Sequence, residues 1–533
     1  MTKLTDSYDD LAGMGVKTPQ RNLLIEPVKW VHFGGGNLFR CFHASIWQKL
    51  VDQGLTQSPL ALIEAFDSQL INQIYHKYNN RTLNVILSAN GSFALELVDC
   101  IKPALDTDNK DDWMQAKQLL ASPDLQMVTL AVTEKGYNIK DLSGNYFPDI
   151  TQELGNGPKG VITLMGKLAS LLYVRFLAGA KPLALCSTDN FSHNGDKLKS
   201  SITEIVGIWV KKGLVETDFL DYLNSSQVSF PLSMIDRITP QPAPSVAEEL
   251  DSLGFVDTQI VKTDKGTVSA AFVNTEETHY LVIEDNFPNG RPNLEAAGVI
   301  LTTRHKVDEV ERMKVCTCLN PLHTSLAILG CLLDYKAISQ QMQNPNLVKL
   351  IKRIGYIEGL PVVTDPKIIS PKQFIDEVIA KRLPNPFIPD TPQRIAMDTS
   401  QKIPIRFGVT ISLYKQQGKD IANLKGIAFT LAAWLRYLMA VDDQGNKFVR
   451  SSDPMLEQLD KFVADLELGS SNLDSVLPLL HDKTIFSVDL YEVKNAKISL
   501  ADMVIEYLTK LLAGKGAVAK TLAEVVNEIE VVN

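Results

Sequence analysis

Short runs of almost wholly apolar residues recur through the first three hundred positions, most of them closed by a polar or glycine-bearing turn. They are VKWVHF from residue 28, PLALIEAF from 59, MVTLAVT from 127, PLALCST from 182 and HYLVIED from 279. Runs this brief, rich in Val, Ile and Leu and separated by helix-like stretches, predict a mainly parallel sheet covered by helices. Past residue 300 the strand signal fades. Apolar positions then recur at helical spacing over 319–335, 423–440, 454–466 and 500–513, with loops at NPFIPDTPQ and around Gly469. The pattern predicts an α/β chain in two parts: a parallel-sheet domain over 1–302 and a largely helical domain over 303–533.

Composition narrows the classes. A chain of 533 residues exceeds a single core. Its 45% hydrophobic and 22% charged residues fit a globular protein and exclude extensive disorder. A net charge of −9 without any dense Lys/Arg run argues against nucleic acid as a partner, while leaving small anionic substrates open. The six cysteines are too sparse for a disulfide framework, and the single C-x-C at Cys316 and Cys318 has no second pair at zinc spacing. They are read as buried thiols, and no metal is expected. The start, MTKLTDSYDDLAG, carries acids where a signal peptide needs an apolar stretch, and Lys167 and Arg175 interrupt the most membrane-like run, 160–180. A cytoplasmic protein with no membrane partner is expected.

The segment VKWVHFGGGNLFRCFHASIWQKL reads as strand, glycine turn and helix. Gly34 and Gly36 would let the backbone turn sharply and approach a pyrophosphate, with Asn37, Leu38 and Phe39 opening the helix whose N–H groups face it. The third glycine of G-x-G-x-x-G is absent, and Phe39 holds its place. The second strand ends near Glu64 and Asp67, where a carboxylate would bind the adenine ribose and favour NAD over NADP. Asp67 is placed ahead of Glu64; both could equally be solvated acids at a strand-to-helix turn.

A second constellation lies in MKVCTCLNPLHTSLAILGCLLDY, residues 313–335. The Lys314 amine can act as acid or base, the Asn320 amide can stabilise charge on oxygen, and the His323 imidazole can position a hydroxyl. Asn320 and His323 share a helix face, opposite an apolar stripe of Leu322, Leu326, Leu329 and Leu333. The plainer alternative is a core helix with a few satisfied polar residues at its start.

Taken together, FGGGNLFR, TEKGY (133–137), STDNFSHNG (187–195), FPLSMIDRITP (230–240), VIEDNFPNGRP (282–292), the Lys314 segment and DTPQRIAMDTSQKIPIRF (390–407) resemble the polyol-specific long-chain dehydrogenases, the mannitol dehydrogenase family. The blocks span most of the chain in the right order. The resemblance implies a Rossmann-type NAD-binding domain, a helical C-terminal domain, a site between them and no catalytic metal. It further implies Lys314 as general acid/base, with Glu311 exchanging its proton with solvent. Asn190 and Asn320 become the amides that hold the reacting oxygen, with Asn194 the substitute if the loop register differs. His323 becomes the residue that orients substrate hydroxyls, Asp236 a neighbour of the nicotinamide, and Arg394 and Lys402 substrate contacts. Read without the family, Thr391 and Pro392 start a helix that Pro404 ends. Arg394, Asp398 and Lys402 then form an exposed ladder worth only ~0.3–0.5 kcal/mol per pair, and Asp236 could pair with Arg237.

One interval departs from the family pattern. Asparagine stands five residues after the lysine in the family and six after it here. On a regular helix the extra residue turns Lys314 by about 100° from Asn320. Either a π-bulge or unwound turn between Val315 and Leu319 absorbs it, which is preferred, or Lys314 is not the amine and Lys306 is the lesser candidate. The implied reaction is reduction of an open-chain sugar carbonyl by NADH, with a lysine made acidic enough by burial or by cations such as Arg394 and His323. The glycine turn is similar to the uronate-reducing branch, implying fructuronate reduced to mannonate, with Arg394, Lys402 or Arg406 near the carboxylate. Tagaturonate and fructose/mannitol are the alternatives within the family. Outside it stand an NAD-binding sensor or scaffold without turnover, and a non-redox enzyme using another nucleotide. A monomer or weak homo-oligomer is expected.

Overall fold

Six strands form one parallel sheet: β1 (Trp30–Phe33), β2 (Leu60–Glu64), β3 (Ile101–Asp106), β4 (Met127–Leu130), β5 (Leu183–Ser187) and β6 (Val228–Ser229). Their order is β3-β2-β1-β4-β5-β6, with Trp30 level with Leu60 on one side and Met127 on the other. The computed structural model describes residues 1–20, 24–141 and 143–527 and has two units: Met1–Ser88 with Ser92–Asp308, and Ala89–Gly91 with Glu309–Asn533.

The apolar runs become strands because both sheet faces are covered. Val31, Phe33, Ala61, Ile63, Val128, Leu130, Leu183 and Leu185 enter one core, packed by Leu168, Leu172, Ile202 and Trp209. Trp30, Leu60, Leu62, Met127, Ala184 and Cys186 enter the other, packed by Trp47, Leu50 and Ile74. That is the two-residue period of a strand read on two sides. The fifth apolar run behaves differently. Tyr280–Glu284 lies outside this sheet, antiparallel to Ser233–Asp236 and parallel to Ile300–Thr302. The parallel sheet is completed instead by β3 and β6, segments that lack a comparable apolar run.

The run at 160–180 is a core helix, Leu164–Leu177. Its fully buried Arg175 donates to the carbonyls of Leu120, Ser122, Leu125, Lys181 and Pro182. Lys167 donates to Ala65 O, Thr107 Oγ1 and Asp108 Oδ1. Cations buried this way are satisfied by fixed oxygens rather than by water.

The second unit is helical and centres on Lys425–Leu438, buried along its length from Gly426 onward. Its N-terminus is closed by Glu358, which is fully buried, accepts from the Gly426 and Ile427 N–H groups at 2.7 and 2.8 Å, and pairs with Arg353 at 2.7 Å. Burial raises the Glu358 pKa, against the pull of Arg353 and the two amides. Glu358→Ala would leave buried Arg353 without its carboxylate and two helix N-terminal N–H groups without their acceptor, so a loss of about 3–5 kcal/mol is expected, read from the urea midpoint. All six cysteines are buried thiols, and desolvation pushes Cys316 up to about 11.

Candidate active site

The glycine turn leaves β1 at its C-terminal end, between neighbours β2 and β4. This is the point where strand order reverses, and open α/β sheets bind ligands there. Gly34 has φ +104, and a Cβ there would lie 2.5 Å from Ala131 O, so only glycine fits. At Gly36 a Cβ would meet nothing within 4 Å. The turn is therefore closed on the protein side and open on the other, where a helix begins at Asn37. Asn37 ties its amide to Val268 O and Ser269 Oγ, both at 3.3 Å, and Leu38 is half-buried. The Phe39 ring is fully buried and stacked on His32, with centroids 4.4 Å apart. The bulk that replaces the third glycine fills the core beside the sheet. The helix accommodates it with a π turn at Phe39–His43 before the α-helix Ala44–Asp52.

The two acids at the end of β2 divide their roles. Glu64 accepts from the Gly35, Phe66 and Asp67 N–H groups at 2.6, 2.9 and 3.2 Å. Asp67 accepts from Thr263 Oγ1 at 2.6 Å through one oxygen, while Oδ1 is buried without a hydrogen-bond partner. A buried carboxylate oxygen with no donor is a place for a ligand hydroxyl, so the residues present suit a dinucleotide whose ribose meets Asp67 rather than Glu64.

After β5 the loop carries Asn190 exposed to solvent and Asn194 buried. Asn194 is removed from the substrate contacts: its amide donates to Asp189 O, Ser233 O and Ser233 Oγ and accepts from Gly195 and Ser233 N–H. It pins the loop. Asp189 fixes the neighbouring TEKGY segment, accepting from the Val132 and Thr133 N–H groups and from the Tyr137 hydroxyl at 2.6 Å. Asp236 ends its strand and is buried. Arg237 beside it donates to Thr275 Oγ1, Cys41 O and Glu276 O.

The α-helix Arg304–Met313, whose residues from Glu309 on belong to the second unit, passes into a π turn, Lys314–Cys318, and resumes as Asn320–Leu332. The Leu319 N–H donates to Lys314 O at 3.1 Å, five residues back instead of four. The π turn takes up the surplus residue and cancels the 100° offset. Pro321 explains its place. In an unbroken α-helix the Pro321 ring would strike the Thr317 carbonyl, and it offers no N–H to the carbonyls before it. Cys316 O is instead met by Thr410 Oγ1 at 3.3 Å. Lys314 is buried, Glu311 lies one turn earlier and half-buried, and Asn320 opens the following helix. That helix is buried nearly all round, leaving Asn320 and His323 as its partly accessible edge rather than one half of an amphipathic face.

His323 sits among cations. Desolvation lowers its pKa to about 3, helped by Arg406, Arg394, Arg382 and Lys402, so the ring is neutral. Its Nε2 is 3.3 Å from Asp390 Oδ2 but makes no hydrogen bond there. Asp390 is ion-paired to Arg394, and the carboxylates of Asp398 and Asp453 act on Lys402. Arg406 Nη1 donates to Thr324 Oγ1 at 2.5 Å, and Lys402 to the carbonyls of Ile395 and Met397. Burial lowers Arg406 to about 10 and Lys402 to about 8, the latter aided by Arg406 and Arg394.

These cations are not an exposed helical ladder. Pro392–Ile395 ends after one turn, Asp398 takes φ +52, and Thr399–Ile403 begins afresh. Pro404 does not stop the chain's helix; it opens a π turn, Pro404–Gly408, that leads into Val409–Gln416. Arg382 joins the group only through tertiary folding, and no local pattern in the sequence marks it; Asp390 stands four residues before its partner Arg394.

A Rossmann-type sheet with a glycine turn at its switch point, followed by a helical unit, defines a dehydrogenase fold. The chain belongs to the mannitol dehydrogenase family: residues 28–296 match the Mannitol dehydrogenase Rossmann domain and 306–508 the Mannitol dehydrogenase C-terminal domain. It is 48% identical over 526 residues, 96% of each chain, to D-mannonate oxidoreductase of Thermotoga maritima. Against D-mannonate oxidoreductase of Escherichia coli it is 29% identical over 478 residues, 86% of this chain and 89% of that one. Two solved structures share the fold at 23% identity. D-sorbitol dehydrogenase in substrate-free form has a TM-score of 0.79 over 95% of this chain and 97% of its own. Pseudomonas fluorescens mannitol 2-dehydrogenase, a ternary complex with NAD and D-mannitol, has 0.69 over 99% and 100%.

Proposed function

We propose that this chain is an NAD-dependent reductase of a keto-uronate, interconverting fructuronate and mannonate in the cytoplasm without a catalytic metal. The observation that carries the substrate class is the set of cations around neutral His323. Arg406, Arg394, Arg382 and Lys402 all act on its ring, beside the carboxylates of Asp390, Asp398 and Asp453, and such a cluster of cations suits a sugar carboxylate. The 48% identity to a D-mannonate oxidoreductase supports the same reading.

The Gly34–Gly36 turn and the helix N-terminus at Asn37 would hold the pyrophosphate, and Asp67 the adenine ribose. NAD(H) held there would be the source or acceptor of the hydride. Lys314 gives its proton to the carbonyl oxygen in reduction and takes it back in oxidation, and Glu311 passes that proton to and from water. Asn190 and Asn320 donate to the oxygen as negative charge gathers on it. Neutral His323 orients a neighbouring hydroxyl, with Arg394, Lys402 and Arg406 facing the carboxylate. Asp236 would be a neighbour of the nicotinamide.

NADH oxidation measured side by side with fructuronate, tagaturonate and fructose tests the reading. Fructuronate should be consumed fastest; preference for fructose would sink the uronate assignment, and no turnover would point to a nucleotide-binding protein without chemistry. Lys402 adds a pH signature. It is a cation below about 8 and neutral above, so KM for the keto-uronate should rise as pH passes 8 while KM for fructose stays level.

A further inference from the structure

The Gly35 peptide is gripped from both sides. Its N–H donates to Glu64 Oε2 at 2.6 Å, and its carbonyl accepts from the Tyr75 hydroxyl at 2.7 Å. Both partners are buried, Tyr75 completely. Glu64 is itself held by the Phe66 and Asp67 N–H groups, and the Arg40 guanidinium lies 5.9 Å from the centroid of the Tyr75 ring. Arg40 in turn donates to Thr82 Oγ1, Ser269 Oγ and Ala271 O, so the clamp rests on fixed oxygens. The middle glycine is also confined: a Cβ there would lie 3.0 Å from the Tyr75 ring and 3.2 Å from Glu64 Oε2.

A glycine-rich turn left alone samples many conformations, and a ligand that needs one of them loses affinity in ordering it. We propose that Glu64 and Tyr75 are positioning residues that lock the Gly34–Gly36 turn in its dinucleotide-binding conformation, and that Glu64 is not the ribose ligand. The placement of Glu64 at the end of β2 is where a ribose-binding acid is expected. Here the carboxylate turns back onto the loop, and Asp67, three residues on, is left with a buried oxygen that has no hydrogen-bond partner. The inference rests on the NAD reading above.

The test uses the full-length protein and NADH or NADPH as probes, with dissociation constants from calorimetry and melting temperatures of the cofactor-free protein. Tyr75→Phe keeps the ring and deletes one donor; Glu64→Gln keeps the shape but sets an amide NH2 against backbone N–H groups. Each should weaken NADH about tenfold, the scale of one or two lost hydrogen bonds, and weaken NADPH by the same factor. Asp67→Asn should instead shift the NADH-to-NADPH ratio. Unchanged NADH affinity in Tyr75→Phe and Glu64→Gln would overturn the clamp. A gain in NADPH binding by Glu64→Gln would overturn it too, making Glu64 the ribose acid. If Glu64→Gln fails to fold, Tyr75→Phe decides alone. Wild-type protein that binds neither nucleotide would refute the cofactor reading itself, a result distinguishable from either of these.

Discussion

Lys314→Ala should lower turnover by at least ~100-fold, the low end for a lost general acid/base, while NADH affinity stays at the wild-type value. The size follows from the balance of the reaction. Reduction of a carbonyl places a negative charge on oxygen, and in the proposed mechanism Asn190 and Asn320 would stabilise that charge but provide no acidic proton. Water would have to replace the amine, and burial of Lys314 restricts its entry. Stopped-flow or steady-state NADH oxidation with fructuronate measures the loss. Near-normal turnover with intact NADH binding would remove Lys314 from the mechanism and return attention to Lys306.

Arg406→Leu is expected to reduce kcat/KM for the keto-uronate by about 100-fold and for fructose by only a few-fold. Removing one member of a buried charge pair typically costs 2–5 kcal/mol. Arg406 qualifies because it is largely withdrawn from water yet, at about 10, protonated throughout the working pH range. Its Thr324 contact anchors one end of the guanidinium beside His323 and leaves other N–H donors for a carboxylate. Equal losses on both substrates would make Arg406 a structural residue and weaken the uronate assignment. Loss of fold is excluded by matching melting temperatures.

The Rossmann half was legible because strands covered on both faces cannot alternate with polar residues; β1, β2, β4 and β5 announce themselves as continuous apolar runs. Ile101–Asp106, partly exposed and carrying Lys102 and Pro103, did not. Tyr280–Glu284 looked like another central strand because burial, not sheet membership, sets composition. In the candidate site, residue types could be read but loyalties could not. Whether Asn190 or Asn194 faced outward, and which of Glu64 and Asp67 kept an open oxygen, depended on Ser233 and Gly35, partners 39 and 29 residues distant. The helix over 391–404 failed because Asp398 adopts a left-handed conformation that asparagine and aspartate tolerate and that no periodicity records.

The π turn before Asn320 ties an insertion to a proline. With Pro321 present, deleting one residue from 315–319 would restore four-residue spacing only by driving the pyrrolidine into a backbone oxygen. With a non-proline at 321 the same deletion would be harmless, because every N–H could rejoin the ladder. The ring and the extra residue are therefore expected to occur together, and chains that space their lysine and asparagine by five should lack proline after the asparagine.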